Sequence, residues 1–221
     1  MPIPFSLHLL NALAALLLLL SFAMLAQRRI VTLVNLLAVQ GAVLCAATLL
    51  LAWRTGEHHL YLSAALTLAL KVLFLPWLLH RLMRRLQVYW DTEPLLHISG
   101  TMLLGLLVVV FSFGLAQPIA ALANTATRNA VGIAVAVILL AFLSMITRRK
   151  AMSQVVGFLS MENGLFFGAM SATYGMPMVV ELGVALDVLV AMLVLGVFFF
   201  QIREQFDSLD LHHLESLKEE R

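Results

Sequence analysis

The sequence predicts an all-α integral membrane protein with seven transmembrane helices, an outside N-terminus and a cytoplasmic C-terminus. Of the 221 residues, 62% are hydrophobic and only 12% are charged, and the apolar residues are gathered into long runs. Soluble domains carry about 25% charged residues, and a helix that crosses the bilayer needs about 20 apolar residues. The composition therefore excludes disordered, fibrous and disulfide-rich classes, and it leaves almost no chain for a soluble domain.

Seven apolar runs divide the chain into candidate spans. They lie at 4–26, 30–53, 59–80, 96–117, 129–147, 152–174 and 177–200, and each is long enough to cross a bilayer. Only the connections at 81–94 and 117–128 leave room for further structure. No Lys or Arg precedes the first run, which ends at Arg28 and Arg29, so we expect a retained helix rather than a cleaved signal peptide.

The basic residues predict the orientation of the helices. With the N-terminus outside, eleven of the fourteen Lys and Arg residues fall in cytoplasmic segments, whereas Arg54 and Arg128 fall outside and Lys71 lies within a helix. Cytoplasmic loops of membrane proteins carry the excess of basic residues, so we expect an N-out, C-in protein. The polar tail from Gln201 carries a leucine stripe and is expected to lie along the cytoplasmic face or to dock on a partner.

Several function classes are excluded by the rest of the composition. The net charge of +2 comes from basic clusters that flank apolar runs, which is typical of membrane helices rather than of nucleic-acid binding. Cys45 is the only cysteine, so the chain offers no disulfide and no iron–sulfur ligation, and we expect no metal site. We find no P-loop, GxGxxG, HExxH or GxSxG motif, so the chain is expected to have no active site and no cofactor of its own.

Three ionisable residues lie deep within the predicted helices. A rise of about 1.5 Å per residue places Lys71 about 18 Å, Glu162 about 15 Å and Asp187 about 15 Å below the membrane surface. In a hydrocarbon core about 30 Å thick, all three lie near the midplane. A charge at the centre of a spanning helix costs about 2.5–3.5 kcal/mol or more, so each is a candidate functional residue.

One lysine and two carboxylates at a common depth predict a proton relay. Burial and a neighbouring opposite charge act in opposite directions on the pKa of an ionisable group, so such a cluster can lie close to the balance between two protonation states. The alternative interpretation is a buried ion pair that holds the third, sixth and seventh helices together and never exchanges protons. We favour the relay, with Glu162 and Asp187 as its carboxylates and Lys71 as their charge partner.

Glu181, His80 and His97 are weaker candidates. Glu181 lies about 6 Å from the outer surface, where a point of proton access and a solvated residue at the rim are equally good interpretations. His80 and His97 flank the basic cluster 81–85 and are kept as candidate relay members.

Polar residues and one proline inside the helices have structural interpretations. Asn11, Asn35 and Asn163 are expected to form hydrogen bonds between helices. Pro76, five residues after Lys71, should free a backbone carbonyl near the lysine because proline has no N–H group.

The C-terminal third resembles a known membrane subunit. The stretches RRKAMSQVVGFLSMENGLFFGA (148–169), ELGVALDVLVAMLVLG (181–196) and SLDLHHLESLKEE (208–220) are similar to the three-helix, K-type membrane subunit of respiratory complex I. The resemblance assigns the two buried carboxylates of that family to Glu162 and Asp187. Glu162 lies about one helical turn after the position of the family's glutamate, and Asp187 is an Asp where the family has a Glu. One turn keeps the side chain on the same helix face.

The whole chain resembles the hydrogenase-4 component E family of formate hydrogenlyase and related membrane-bound hydrogenases. The segment LALKVLFLPWLLHRLMRRL (68–86) and the GFLSMENGLF and SLDLHHLESLK blocks carry this resemblance. It divides the chain into a five-helix region at 1–147, the last two helices of the K-like region at 148–200, and a cytoplasmic tail at 201–221. The K-like region itself begins with the helix at about 129.

The resemblance implies a membrane subunit of a complex I-related hydrogenase in a bacterial inner membrane, one that takes part in proton translocation. The nickel–iron centre and the iron–sulfur clusters would lie on partner subunits, and antiporter-like and quinone-chamber-like membrane subunits would be neighbours in the bilayer. Two alternatives remain open at this point: a subunit of a multi-subunit Na⁺/H⁺ antiporter, and a structural assembly subunit whose buried charges only hold helices together.

Overall fold

The computed structural model describes residues 5–86, 97–122 and 128–173, together with the single positions 183, 189, 192 and 196. This part of the chain is helical throughout, apart from short connections. Its helices are α1 (Phe5–Ala26), α2 (Ile30–Thr55), α3 (His58–Thr67), a π-helical segment (Leu68–Phe74), α4 (Leu75–Leu86), α5 (Ile98–Leu122), α6 (Arg128–Thr147) and α7 (Ala151–Thr173). The segments α3, π and α4 follow one another without a break and form one long helix.

Six helices in the described part of the chain are long and apolar enough to cross a membrane. They are His8–Ala26, Ile30–Thr55, His58–Arg84, Ile98–Pro118, Ala130–Thr147 and Ala151–Thr173. These confirm the first six predicted spans and an all-helical membrane fold. The seventh run, at 177–200, lies almost entirely outside the described residues, as does the tail, so the seventh span and the orientation stay predictions.

The predicted connections at 81–94 and 117–128 are partly helical. The third helix runs past its predicted end at residue 80 to Leu86, and α5 continues through Pro118 to Leu122. Arg81, Arg84 and Arg85 lower the hydropathy of this stretch, but Leu82 and Met83 between them are buried against the bundle. A hydropathy boundary therefore marks where the apolar run ends and not where the helix ends.

The chain divides into two compact units, Met1–Ala185 and Leu186–Arg221, and every described helix belongs to the first. Within that unit α1 packs on α2, α5 and α6, while α2 packs on α3, α4, the π segment and α7. The α6–α7 pair is extensively packed, so contacts run across the division at 147 that the resemblance suggests. This arrangement packs both the π segment and α7 against α2.

The π-helical segment surrounds Lys71. The N–H group of Leu75 donates to the carbonyl of Leu70, five residues back, instead of to the residue four back as in an α-helix. In this five-residue register, the missing N–H of Pro76 is the one that would reach the Lys71 carbonyl. π-Helical turns within α-helices are frequent at functional sites, which directs attention to this lysine.

Gly41 allows α2 to approach the π segment closely. A Cβ atom added at Gly41 would lie 3.2 Å from Cβ of Lys71 and 3.3 Å from its carbonyl oxygen. Gly41 is itself buried. The backbone around Lys71 is therefore held directly against α2.

Glycines also determine the packing of α6 on α7. Gly164 and Gly168 are spaced as a GxxxG pair, which lets helix backbones meet closely in membranes. A Cβ atom added at Gly168 would lie 2.9 Å from Cβ of Ala134, which cannot move without its helix.

We expect Gly168→Ala to lower the free energy of unfolding by about 1–3 kcal/mol, as overpacking does in other cores. Reversible unfolding of the purified chain in mixed micelles measures this loss. Gly114→Ala on α5 is the matched control, because nothing lies within 4 Å of the added methyl group, and it should leave the stability unchanged or raise it slightly. Equal stability of the two variants would contradict close packing at Gly168.

Arg148 caps the C-terminal end of α1. Its Nη2 donates to the carbonyl oxygens of Met24 and Gln27, each at 2.8 Å, and its Nε donates to Oγ of Ser144 at 3.1 Å. The side chain is buried, with 6% of its surface exposed. The sequence assigned Arg148 only a topological role, and the structure adds a cap on the negative end of the α1 dipole.

Replacing Arg148 with Ala should lower the free energy of unfolding by about 2–3 kcal/mol, because charged hydrogen bonds to buried carbonyls are lost. Arg148→Lys should lose less, since an ammonium keeps the charge but reaches fewer acceptors. The same unfolding measurement applies to both variants. Arg149→Ala, at the exposed neighbouring position, should change stability by no more than about 0.5 kcal/mol, and a similar loss in that variant would argue against the cap.

Candidate functional site

A buried ion pair joins the π segment to α7. Nζ of Lys71 donates to Oε1 of Glu162 at a distance of 2.8 Å. Only 4% of the lysine side chain and 1% of the glutamate side chain are exposed. Glu162 is the twelfth of the 23 residues of α7, so the pair lies at the middle of a membrane-length helix.

Two further groups on α7 contact the Lys71 ammonium. Oδ1 of Asn163 accepts a hydrogen bond from Nζ at 3.0 Å, and the centre of the Phe166 ring lies 5.4 Å from Nζ. A carboxylate, an amide and an aromatic ring, all on α7, therefore contact the cation. The last of these is a cation–π contact, which strengthens when the cation is desolvated.

A chain of hydrogen bonds continues from Asn163 to α1. Nδ2 of Asn163 donates to Oε1 of Gln40 at 3.2 Å, and Nε2 of Gln40 donates to Oγ of Ser21 at 2.9 Å. The Ser21 hydroxyl donates in turn to the carbonyl oxygen of Leu17 at 3.0 Å. Every bond from Lys71 onward points the same way, so the dipoles align with the lysine charge and reinforce one another.

Comparison with known proteins identifies relatives along most of the chain. It is 38% identical over 194 residues to the uncharacterized protein Rv0085 of Mycobacterium tuberculosis, which covers 87% of this chain and 88% of the relative. The chain belongs to the family of Rv0085. It is also 25% identical over 181 residues to hydrogenase-4 component E of Escherichia coli and of Shigella flexneri, covering 82% of this chain and 84% of theirs. No protein-family model and no solved structure match it.

The more distant similarity supports the resemblance to hydrogenase-4 component E. Together with six apolar helices, it makes this member of the Rv0085 family a multi-pass membrane protein.

The structure brings together two of the three principal candidates. Lys71 and Glu162 form the ion pair, whereas Asp187 and the weaker candidate Glu181 lie outside the described residues. The role of all four in proton transfer stays a prediction.

The two candidate histidines lie apart from the pair. His80 is nine residues beyond Lys71, about 13 Å along the helix, and its Nδ1 lies 2.7 Å from the carbonyl oxygen of Pro76. His97 is exposed just before α5, and its carbonyl accepts hydrogen bonds from Thr101. Within the described part of the chain, neither imidazole hydrogen-bonds to the pair.

The sequence predicted interhelical hydrogen bonding for three asparagines, and the outcomes differ. The prediction is confirmed for Asn163, which forms hydrogen bonds with Gln40 and Lys71. Asn35 is exposed, and Oδ1 of Asn11 has no hydrogen-bond partner among the residues that the structure describes.

Gln40 and Ser21 were missed by the sequence analysis. Gln40 is fully buried and Ser21 is 5% exposed. A single glutamine in the middle of a long apolar run was the available signal, because a buried amide in a membrane needs partners on neighbouring helices.

Chemically, the ion pair can transfer a proton, and the two amides can hold the lysine in place. Transfer of one proton from Lys71 to Glu162 would convert the ion pair into a neutral pair. Asn163 and Gln40 neither gain nor lose a proton at ordinary pH, so they orient the lysine and do not relay. The geometry therefore joins the ion pair to a chain of polar side chains that reaches α1.

Proposed function

We propose that this chain is a membrane subunit of a complex I-related hydrogenase assembly, similar to formate hydrogenlyase. In this proposal the Lys71–Glu162 pair takes part in proton translocation coupled to redox chemistry on other subunits, with Asp187 as a second relay carboxylate. The observation that carries the proposal is the ion pair at the middle of α7, 2.8 Å long and almost fully buried. The similarity to hydrogenase-4 component E supports the choice of assembly.

The cost of burying two charges supports a role beyond packing. Replacing a buried ion pair with apolar residues of similar volume is often neutral or stabilising by about 1–4 kcal/mol. Ionisable residues inside a membrane mark proton and ion pathways for the same reason. A chain that needed only to join α7 to the π segment could do so with leucines.

The redox reaction and proton translocation would be coupled through electrostatic interactions between ionisable groups. Protonation of one acid changes the pKa of the next through repulsion, so a distant redox event can be transmitted along the membrane as a change in protonation. The nickel–iron centre and the iron–sulfur clusters belong to the proposed partner subunits, and the location we propose is the inner membrane of a bacterium.

Purification of the assembly tests the proposed function. The tagged chain is isolated from its native host in mild detergent, its partners are identified by mass spectrometry, and the eluate is assayed for hydrogen evolution. We expect a nickel–iron subunit and antiporter-like membrane subunits, together with hydrogen evolution. Antiporter-like partners without a redox subunit would instead indicate cation/proton exchange, and a chain without partners would contradict the proposal. An untagged strain is the control.

A structural role is the second candidate, and the hydrogen bonds from Lys71 to α1 favour it. They connect α1, α2, the π segment and α7 through four side-chain contacts. In that case removing one charge of the pair would reduce stability, and removing both would leave transport by the rest of the assembly unchanged. The variants argued in the Discussion separate the two roles.

A further inference from the structure

A small cavity lies against the ion pair. It offers about 10 Å³ to the centre of a water molecule, and it is lined by Leu37, Lys71, Leu75, Leu159, Glu162 and Asn163. A cavity needs roughly 10–15 Å³ by this measure, and two to four polar partners, to hold one water molecule. This one has the volume of a single water and three polar residues in its wall.

We propose that one water molecule binds in this cavity and that it bridges Lys71 and Glu162 on one side of the pair. We call this the arginine-rich side: the end of the bundle where α1, α4 and α6 end and α2 and α7 begin. Arg28, Arg29, Arg81, Arg84, Arg148 and Arg149 lie there. The water site itself is independent of the proposed function, whereas its use in proton translocation rests on that function.

Water fits the wall of the cavity better than a metal ion does. Lys71 lines the cavity, and its positive charge repels a second cation at short range. A water molecule can accept from the ammonium or from the Asn163 amide and donate to the Glu162 carboxylate. It therefore matches both charges of the pair at once.

The three leucines place the cavity on the arginine-rich side of the pair. Leu75 lies four residues after Lys71 toward the end of α4, and Leu159 lies three residues before Glu162 toward the start of α7. Leu37 lies four residues before Gly41, the residue of α2 that contacts the Lys71 backbone. All three are displaced from the pair in the same direction and are at most 3% exposed.

On the opposite side of the pair, the described residues pack mainly through apolar side chains. The Phe166 ring covers the ammonium there, and Leu44, Phe167 and Met170 are completely buried in the adjoining hydrophobic core. That core extends through the halves of α1, α2, α6 and α7 that lie away from the arginine-rich side. Among the described residues, the cavity therefore lies on the arginine-rich side of the pair, and packing on the other side is mainly apolar.

Proton exchange through this water balances without another reactant. As an N–H bond of the Lys71 ammonium breaks, an O–H bond forms on the water, and one of the water's own O–H bonds breaks as its proton passes to the Glu162 carboxylate. The reverse steps return a proton to the amine and restore the starting charge of the pair.

Contact between Lys71 and water can be measured in the full-length protein in lipid bilayers. The chain has three lysines, so Lys150→Arg and Lys218→Arg leave Lys71 as the one site of ¹⁵N-lysine labelling. We expect water-edited solid-state NMR to transfer magnetisation from water to Nζ of Lys71. Leu37→Phe fills the cavity and should slow this transfer several-fold. Leu44→Phe, one heptad along α2 and fully buried, is the matched control and should not.

A Lys71 signal with no contact to water in the parent protein would overturn the proposal, and so would equal transfer rates in the two phenylalanine variants. Neither outcome depends on transport, so a poorly assembled variant does not obscure the result. Thermal unfolding of both variants verifies that each is folded before its transfer rate is compared.

The use of the water in transport is tested in vesicles that contain the native assembly. We expect Leu37→Phe to reduce proton translocation several-fold and Leu44→Phe to retain it. If Glu162→Gln loses translocation and Leu37→Phe keeps it in full, only the role of the water in transport is overturned. Full translocation in Glu162→Gln would instead overturn the proposed function. The NMR experiment would then decide by itself whether the water site exists.

Discussion

Replacing Glu162 with Gln is expected to abolish coupled proton translocation while the assembly stays intact. The amide has nearly the shape of the carboxylate and still offers an oxygen to Nζ of Lys71, 2.8 Å away in the native pair. It has no site that gains or loses a proton at ordinary pH, so the relay is interrupted at this residue. Removing a group that transfers protons typically lowers a rate by about 10²–10⁴-fold.

Quenching of a pH-sensitive dye in inverted membrane vesicles measures this loss, with the redox reaction of the assembly as the driving force. Co-purification of the partner subunits establishes that the variant assembles. Glu57→Gln is the matched control, because it makes the same substitution at a side chain that is 60% exposed in the α2–α3 connection, and it should translocate at the parent rate. Normal translocation in Glu162→Gln would contradict the relay.

The six described spans could be predicted from sequence because the requirement for them is local. A helix needs a certain length of apolar residues to cross the bilayer, and that length can be counted along the chain without knowing what packs where. The end of the third helix could not be found this way. Between residue 80 and Leu86 the face toward the bundle stays apolar while the mean hydropathy falls.

The ion pair was partly predictable for a similar reason. A lysine and a glutamate at equal depth in two apolar helices are rare and costly, so each is conspicuous on its own. Depth alone does not tell which helices face each other, and the pairing of Lys71 with Glu162 follows from the packing of α7 and the π segment on α2.

The polar support of the pair was not predictable from charge. Gln40 and Ser21 are uncharged, and a single amide or hydroxyl in a membrane helix has many structural explanations. Only the packing of three helices brings Asn163, Gln40 and Ser21 into one line. The π-helical register is likewise a property of the folded bundle, although Pro76 indicated that the hydrogen bonding near Lys71 would be irregular.

The second large effect concerns stability, and a double-mutant cycle measures it. Lys71→Met removes the cation and leaves the Glu162 carboxylate buried with 1% of its side chain exposed. Breaking a buried pair in this way costs about 3–5 kcal/mol, so we expect a loss of that size in reversible unfolding in mixed micelles. Arg54→Met removes a cation from an exposed position at the end of α2 and should cost no more than about 0.5 kcal/mol.

Adding Glu162→Leu to Lys71→Met should restore most of the lost stability, because neither charge then remains in the hydrocarbon region. The interaction energy from the cycle is the part of the stability that belongs to the pair itself. If the pair works in proton transfer, the double variant is stable, assembles with its partners and does not translocate protons. If the pair only holds helices together, the same variant is stable and translocates normally, and the relay proposed for Lys71 and Glu162 is then wrong.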